Sequence, residues 1–232
     1  MSSSPYPLDT SKHRETALTL RKRIALIALV CCIQMTYIPT SNRVTGGIEP
    51  KLPIDIFPVW PIWVLPYVLC YLLWITSIAW IIFKAEDPFF RSFIAACFVT
   101  FLLGNLTFIF FPTYVGLVTF GGTDLFANLL RTIHETWGRY DAFPSGHIYI
   151  TTLLALFFGR WYPRNKLLWI LILVIVSLST LFTAQHYILD VLGGYIVALA
   201  GYYFGLWWRE SHSARQRMSK RSGTKVSSSS LN

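Results

Sequence analysis

Three ionisable side chains stand where an apolar sequence would not ordinarily carry them: His147, His186 and Asp190, each at the end of a long hydrophobic run. An Asp inside a membrane span costs roughly 2.5–3.5 kcal/mol on insertion scales, so such a residue marks a functional position by default. His186 and Asp190 are four residues apart and share one face of a helix. An aspartate one turn from a histidine can accept its N–H and fix which ring nitrogen is free, the orienter-and-base arrangement of nucleophilic catalysis. A buried His–Asp bond that only joins helices is the other reading of the pair. A second constellation, Pro144-Ser145-Gly146-His147, reads as a helix start. Pro and Ser suit that position, and Gly lets the backbone approach a ligand closely. The unpaired amides and positive dipole end there form an anion site, with His147 projecting beside whatever anion is held. Two His and one Asp are also a conceivable metal set, but nothing in the sequence supplies outer-sphere support, and no metal or other cofactor is expected.

The elements that must position these residues are membrane spans. Of 232 residues, 54% are hydrophobic and only 13% charged, about half the charged share of a soluble domain. Six apolar runs follow one another: Ile24 to Ile38, Val59 to Phe83, Phe93 to Phe111, His147 to Trp161, Leu167 to Ala184 and Tyr187 to Trp208. A span needs roughly 17–25 apolar residues. The first and fourth runs are short, and the first carries Gln34 and Thr36; it reads as a retained anchor, since no small-residue cleavage site follows it. The expected fold is all-α, a polytopic membrane bundle of six transmembrane helices. An interfacial helix, Asp124 to Trp137, occupies the long loop between the third and fourth runs, with Leu125, Leu129, Leu130 and Ile133 at helical spacing. Residues 1–23 form a basic leader, 24–208 the membrane domain, and 209–232 a basic, Ser-rich tail without regular structure. Cys31, Cys32, Cys70 and Cys97 lie in apolar runs and read as buried free thiols.

Charge gives the orientation. Sixteen of the 20 Lys and Arg fall in the leader, the tail and the loops after the second and fourth runs. The positive-inside rule then places both termini in the cytoplasm, and all three chemistry-bearing elements on the outer face of what is expected to be a plasma membrane. The same distribution accounts for the net charge of +9 without a nucleic-acid partner. The expected partners are the bilayer and a lipid phosphate; the oligomeric state is not legible.

Pro144-Ser145-Gly146-His147 followed by His186-x-x-x-Asp190 resembles the second and third motifs of the type-2 phosphatidic acid phosphatase superfamily. The stretches Phe111-Pro112-Thr113-Tyr114-Val115 and Ser179-Thr180-Leu181-Phe182-Thr183 are similar to a bacterial branch related to inositol phosphorylceramide synthase and sphingomyelin synthase. The resemblance covers about Phe57 to Gly205. It implies a metal-free lipid-phosphate phosphatase in which His186 attacks phosphorus, Asp190 orients it, His147 protonates the leaving oxygen, and Ser145 and Gly146 bind phosphoryl oxygens. Transfer of a phospho-headgroup to an alcohol is the alternative it implies.

The chain departs from the family pattern in its cations. The first motif's Lys and Arg-Pro are missing, since Val115 is followed by Gly116-Leu117-Val118, and Thr180 stands where the third motif usually has Arg. Arg139, eight residues before His147, is the expected substitute, with Arg131 behind it; interfacial anchoring is the alternative for both. The missing cations also admit a catalytically silent relative, against which the intact His147, His186 and Asp190 argue. His134 and Glu135 read as a polar helix face, and Asn105 as a helix–helix hydrogen bond.

Overall fold

A computed structural model describes residues 17–41, 46–136 and 140–229; Arg139 and Trp137 lie outside them. The chain is helical: α1 Leu20–Met35, α2 Tyr37–Ser41, α3 Val64–Lys84, α4 Asp87–Phe110, α5 Leu125–Thr136, α6 Gly146–Trp161, α7 Lys166–Phe182 and α8 Ile188–Ser229, with one-turn 3-10 helices at Pro61–Trp63 and Pro163–Asn165. Among the described residues there is no strand, only a bridge between Ile48 and Thr113.

Five stretches are long and apolar enough to cross a membrane: Leu20–Pro39, Pro61–Lys84, Asp87–Phe110, Pro163–Phe182 and Ile188–His212. This marks the chain as an integral membrane protein. The expected sixth, α6, has 16 residues, which gives about 24 Å against a hydrocarbon core of about 30 Å. It is short because it is internal. Ile148, Tyr149, Leu153, Leu154 and Phe157 are all buried, and α6 packs against α3, α4, α7 and α8. The outward faces of the other helices carry Leu72, Ile75, Phe110, Leu167 and Ile196 exposed, as lipid-facing positions do.

Small residues let the central helices approach. A Cβ on Gly201 or Gly205 of α8 would strike Thr100, Ala96 or Ser92 of α4. On Gly194 it would lie 2.7 Å from Ile148 Cβ and 2.9 Å from the Ser145 carbonyl. Close backbone contact is the usual basis of helix association in lipid. Asn105 of α4 donates to the Ile33 carbonyl and, at 2.8 Å, to Thr36 Oγ1, so it is the helix–helix tie expected of it.

At one end of the bundle Arg23 closes the C-terminus of α3. Its Nη1 donates to the carbonyls of Ile81, Ile82 and Ala85 at 3.3, 3.1 and 2.7 Å, and its Nη2 to Asp87 Oδ1 at 2.5 Å. These are carbonyls a helix end leaves unpaired. α1 starts here, with Thr19 as its cap, so Arg21 to Arg23 belong to the helix rather than to the leader. α8 also returns here, where Arg209 lies over the Trp161 ring. The backbone of α8 continues to Ser229, where a tail without regular structure was expected; residues 209–229 contain no proline to stop it.

At the other end, α5 begins at an Asp124 cap whose Oδ1 accepts from the Phe126 and Ala127 amides at 2.9 and 3.1 Å. The expected stripe is split. Leu130 and Ile133 are buried with Ala127, while Leu125 and Leu129 are 75% and 38% exposed. The docked face is the one that meets Val64 and Tyr67 of α3. The thiols also divide: Cys70 and Cys97 are buried, Cys31 is half-buried and Cys32 is exposed.

Candidate active site

The end opposite Arg23 gathers the first turn of α6, the α7–α8 connection and the first turn of α8. Ser145 precedes α6 in extended backbone, and its amide donates to the Asp190 carbonyl at 3.0 Å. That bond fixes the start of α6 against α8. The α7–α8 connection turns through Ala184, a non-glycine at φ 52°, a left-handed conformation that concentrates at functional sites. The amides of Gln185 and His186 both donate to the Thr180 carbonyl, at 3.1 and 3.2 Å. Thr180, where the resemblance would place an Arg, is therefore a buried helix-end acceptor.

These constraints bring the two imidazoles together, with ring centroids 5.9 Å apart at 61°. His147 stacks on Tyr67 at 4.2 Å, with Tyr71 and Trp74 each at 5.4 Å. His186 Nδ1 lies 3.6 Å from Asp190 Oδ2. That oxygen accepts the Tyr187 amide at 2.7 Å, so in this conformation the carboxylate stands beside the imidazole without a direct hydrogen bond. Ser145 Oγ, His147 Nε2, His186 Nδ1 and Asp190 Oδ1 are all buried and have no partner among the described residues. Buried polar atoms are nearly always paired; His186 Nδ1 and the Asp190 carboxylate stand within reach of each other, which leaves Ser145 Oγ and His147 Nε2 as the groups a ligand would satisfy. The family model of the PAP2 superfamily matches residues 61–204.

The chain belongs to the PAP2 superfamily. Members of the superfamily are phosphoric ester hydrolases or phosphotransferases. No curated protein and no solved structure matches the chain. In this PAP2 protein the matched region runs from the turn before α3 to well along α8, and α1 lies outside it.

A cavity of about 320 Å³ opens beside the histidines. Its rim includes Gly146, Ala184, Gln185 and one residue that sequence reasoning passed over, Asp141. Burial pushes the Asp141 carboxyl up to about 6, against the opposing pull of His186. No Lys or Arg lines this cavity among the described residues. Arg131 is engaged elsewhere: it donates to Asn128 Oδ1 at 2.7 Å and to the Gly122 carbonyl, and lies over the Phe120 ring.

The loops that frame the site hold one another. Ile48 pairs with the 112–114 segment through its amide to Pro112 (3.0 Å) and its carbonyl from Tyr114 (3.1 Å). Thr113 Oγ1 accepts the Phe143 amide at 2.7 Å. Asp55 caps α8 from a distance, its Oδ1 accepting the Ile188 amide at 2.9 Å, and Glu49 accepts from the Tyr187 hydroxyl. His134 is not a free polar face: its Nε2 donates to the Thr183 carbonyl at 2.9 Å. Burial lowers its imidazole below the usual His range, and that bond opposes the shift. The available signal for Asp141 was its place, an ionisable residue six before His147; Asp55 and Glu49 act across long sequence separations that no local pattern encodes.

Proposed function

We propose that this protein is an integral membrane lipid-phosphate phosphatase that works through a phosphohistidine on His186. The supporting observation is the convergence of His147 and His186 at the mouth of a largely apolar cavity, with Ser145 at the start of α6 and Asp190 beside His186 behind them. The His186 ring nitrogen remote from Asp190 donates its electron pair to phosphorus, and the ester P–O bond breaks. The departing oxygen takes a proton from His147, and the phosphoryl group remains on His186. Water then attacks phosphorus, gives its proton to His147, and the P–N bond breaks. A small rotation brings the Asp190 carboxylate, now 3.6 Å away, onto Nδ1–H, which leaves the other nitrogen free and stabilises the charge it gains. The first-turn amides of α6 and Ser145 Oγ receive phosphoryl oxygens. A Cβ on Gly146 would meet only the Tyr149 ring, at an ordinary 3.4 Å or more; packing does not require glycine here, whereas a backbone cradle for phosphate does.

Transfer to an alcohol is the second reading, favoured by one observation. With Asp141 on the rim and no described cation in the cavity, a phosphodiester, which carries less charge than a monoester, is the easier occupant. Arg139 is proposed to supply the missing positive charge. The distribution of Lys and Arg supports cytoplasmic termini and a site on the outer leaflet of the plasma membrane.

The test is phosphate release, and headgroup transfer to added alcohols, from labelled lipids in vesicles of purified protein. His186→Ala and His147→Ala should abolish both, and acid-labile label should accumulate on the parent but not on His186→Ala. Arg139→Ala should depress turnover nearly as far as Asp190→Ala. Turnover that survives His186→Ala would overturn the reading.

A further inference from the structure

We propose that the cavity beneath the histidine pair seats one hydrocarbon chain of the substrate and that its inner end measures that chain. This rests on the lipid-phosphate reading above.

The cavity is far larger than the space a bound water needs, about 10–15 Å³. From the histidines it descends between α1, α3, α4 and α6 to Ile27, Phe93 and Leu154. Along α6 it follows the helix from Gly146 to Leu154, and along α4 from Phe108 to Phe93, which at the helical rise is about 12 and 22 Å. One leaflet, half of a core of about 30 Å, is about 15 Å. The depth is that of a single extended chain of ordinary membrane length.

Its chemistry is graded. The rim holds His147, His186 and Asp141. The polar groups partway down satisfy each other, Gln34 Nε2 and Tyr149 Oη lying 2.7 Å apart. Below them Val30, Cys97 and Leu153 leave water without partners. A chain lying there brings its phosphate to His147 and His186 at the mouth. That continuity assigns the space to the substrate rather than to a bulk lipid. One wall, Ile27, Val30 and Cys31, comes from α1, which lies outside the residues matched to the family; this part of the seat belongs to this chain. A polyisoprenoid several leaflets long is too long for it.

The four thiols test this without any substitution. Cys31 and Cys97 line the cavity, whereas Cys32 and Cys70 do not. In vesicles of the full chain, labelling by N-ethylmaleimide is followed at each cysteine by mass spectrometry, with alkylphosphonates as uncleavable probes. Hexadecylphosphonate at about ten times its dissociation constant should slow Cys31 and Cys97 about tenfold by occupancy and leave Cys32 unchanged. Butylphosphonate should protect neither, being confined to the mouth. Hexadecanol that protects as well as the phosphonate would assign the cavity to bulk lipid and overturn the proposal, as would unchanged labelling of Cys31 and Cys97 by the long probe. Protection and turnover are read on the same preparation, so the seat and the catalysis fail separately: turnover without protection removes the seat, protection without turnover removes the enzyme. Leu154→Trp should move the protecting optimum toward shorter chains; an unmoved optimum in a folded variant would overturn the measuring role.

Discussion

At the Arg23 end of the bundle one guanidinium satisfies three carbonyls and a carboxylate; at the His147 end four buried polar atoms have no partner among the described residues. The first arrangement holds α1, α3 and α4 together. The second leaves buried groups desolvated, at a cost of about 1–3 kcal/mol for each unsatisfied one. Unpaired buried groups are not confined to the site, since Ser92 Oγ, Thr100 Oγ1 and Thr152 Oγ1 also have no partner among the described residues, and the difference between the two ends can be broken by experiment. His186→Ala should lower turnover on the order of 10⁴-fold or more, as loss of a nucleophile does, with thermal unfolding in detergent unchanged or slightly later. Arg23→Ala should do the reverse. It leaves Asp87 half-paired and α3 uncapped, destabilising by about 2 kcal/mol or more, while the folded fraction turns over normally. Turnover lost in folded Arg23→Ala would mean that the two ends are coupled.

A matched pair of glycines sharpens the contrast with one chemical change. Gly194→Ala puts a methyl 2.7 Å from Ile148 Cβ and 2.9 Å from the Ser145 carbonyl, so the first turn of α6 must shift. A displacement of about 1 Å at a catalytic constellation is worth about 10²-fold in rate. Gly205→Ala meets the Ser92 carbonyl near the Arg23 end and should cost about 1–3 kcal/mol of stability, with turnover per folded molecule intact. Equal kinetic losses in the two variants would show that the site depends on the whole α4–α8 seam rather than on its own turn.

What was legible in the sequence follows the same division. Apolar runs and helix-start chemistry placed α3, α4, α6 and α7, and His186-x-x-x-Asp190 and Ser145-Gly146-His147 came together because each is a local motif on a helix end. Asp55, Glu49 and His134 were not legible as partners of Ile188, Tyr187 and Thr183, because those bonds form only when loops far apart in sequence are brought to one end. The docked face of α5 was not legible because Leu125 and Leu129 satisfy helical spacing as well as Ala127 does, and only the position of α3 decides between them. Asp141 was not legible as a rim residue because it lies in a loop whose path to His186 only the fold sets.

Asp141 gives the next largest expected effect, and its sign can be worked out. Its carboxyl is raised by burial to about 6, above the ordinary carboxylate range, so the folded protein holds a proton that the unfolded chain releases above about pH 4. Stability from this group is present below about pH 4 and is lost as pH rises through about 6, on the order of 2–3 kcal/mol before screening. The groups around it are His186 and the phenols of Tyr37, Tyr67, Tyr71 and Tyr149; phenols ordinarily stay neutral across this range. Above pH 6 the carboxylate repels an arriving phosphate monoester. Asp141→Asn should flatten this part of the pH–stability curve and raise monoester turnover at pH 7–8 by about tenfold, as removal of a partly screened like charge would. An unchanged pH profile would make Asp141 a bystander on the rim.

The smallest effect is expected at Arg131, one of the two cations that the sequence offered for the phosphate. Its guanidinium is committed to its own loop, with Nη1 on Asn128 Oδ1 at 2.7 Å, Nη2 on the Gly122 carbonyl and the Phe120 ring 5.5 Å away. Both hydrogen bonds are exposed, and exposed interactions of this kind contribute at most about 1 kcal/mol. Arg131→Ala should therefore loosen the turn before α5 and change lipid-phosphate turnover by less than about twofold, the effect of an exposed substitution away from the site. α5 itself should stay docked, since Leu130 and Ile133 remain buried against Val64 and Tyr67 and His134 keeps its bond to the Thr183 carbonyl. Arg131→Lys separates the two ways this can fail. If charge near the site matters, Lys restores what Ala removes; if the fork onto Asn128 and Gly122 matters, Lys behaves like Ala, because an ammonium cannot reproduce that geometry. A large loss in Arg131→Ala that Lys rescues would return Arg131 to the phosphate and leave the cavity less bare of positive charge than its described walls are.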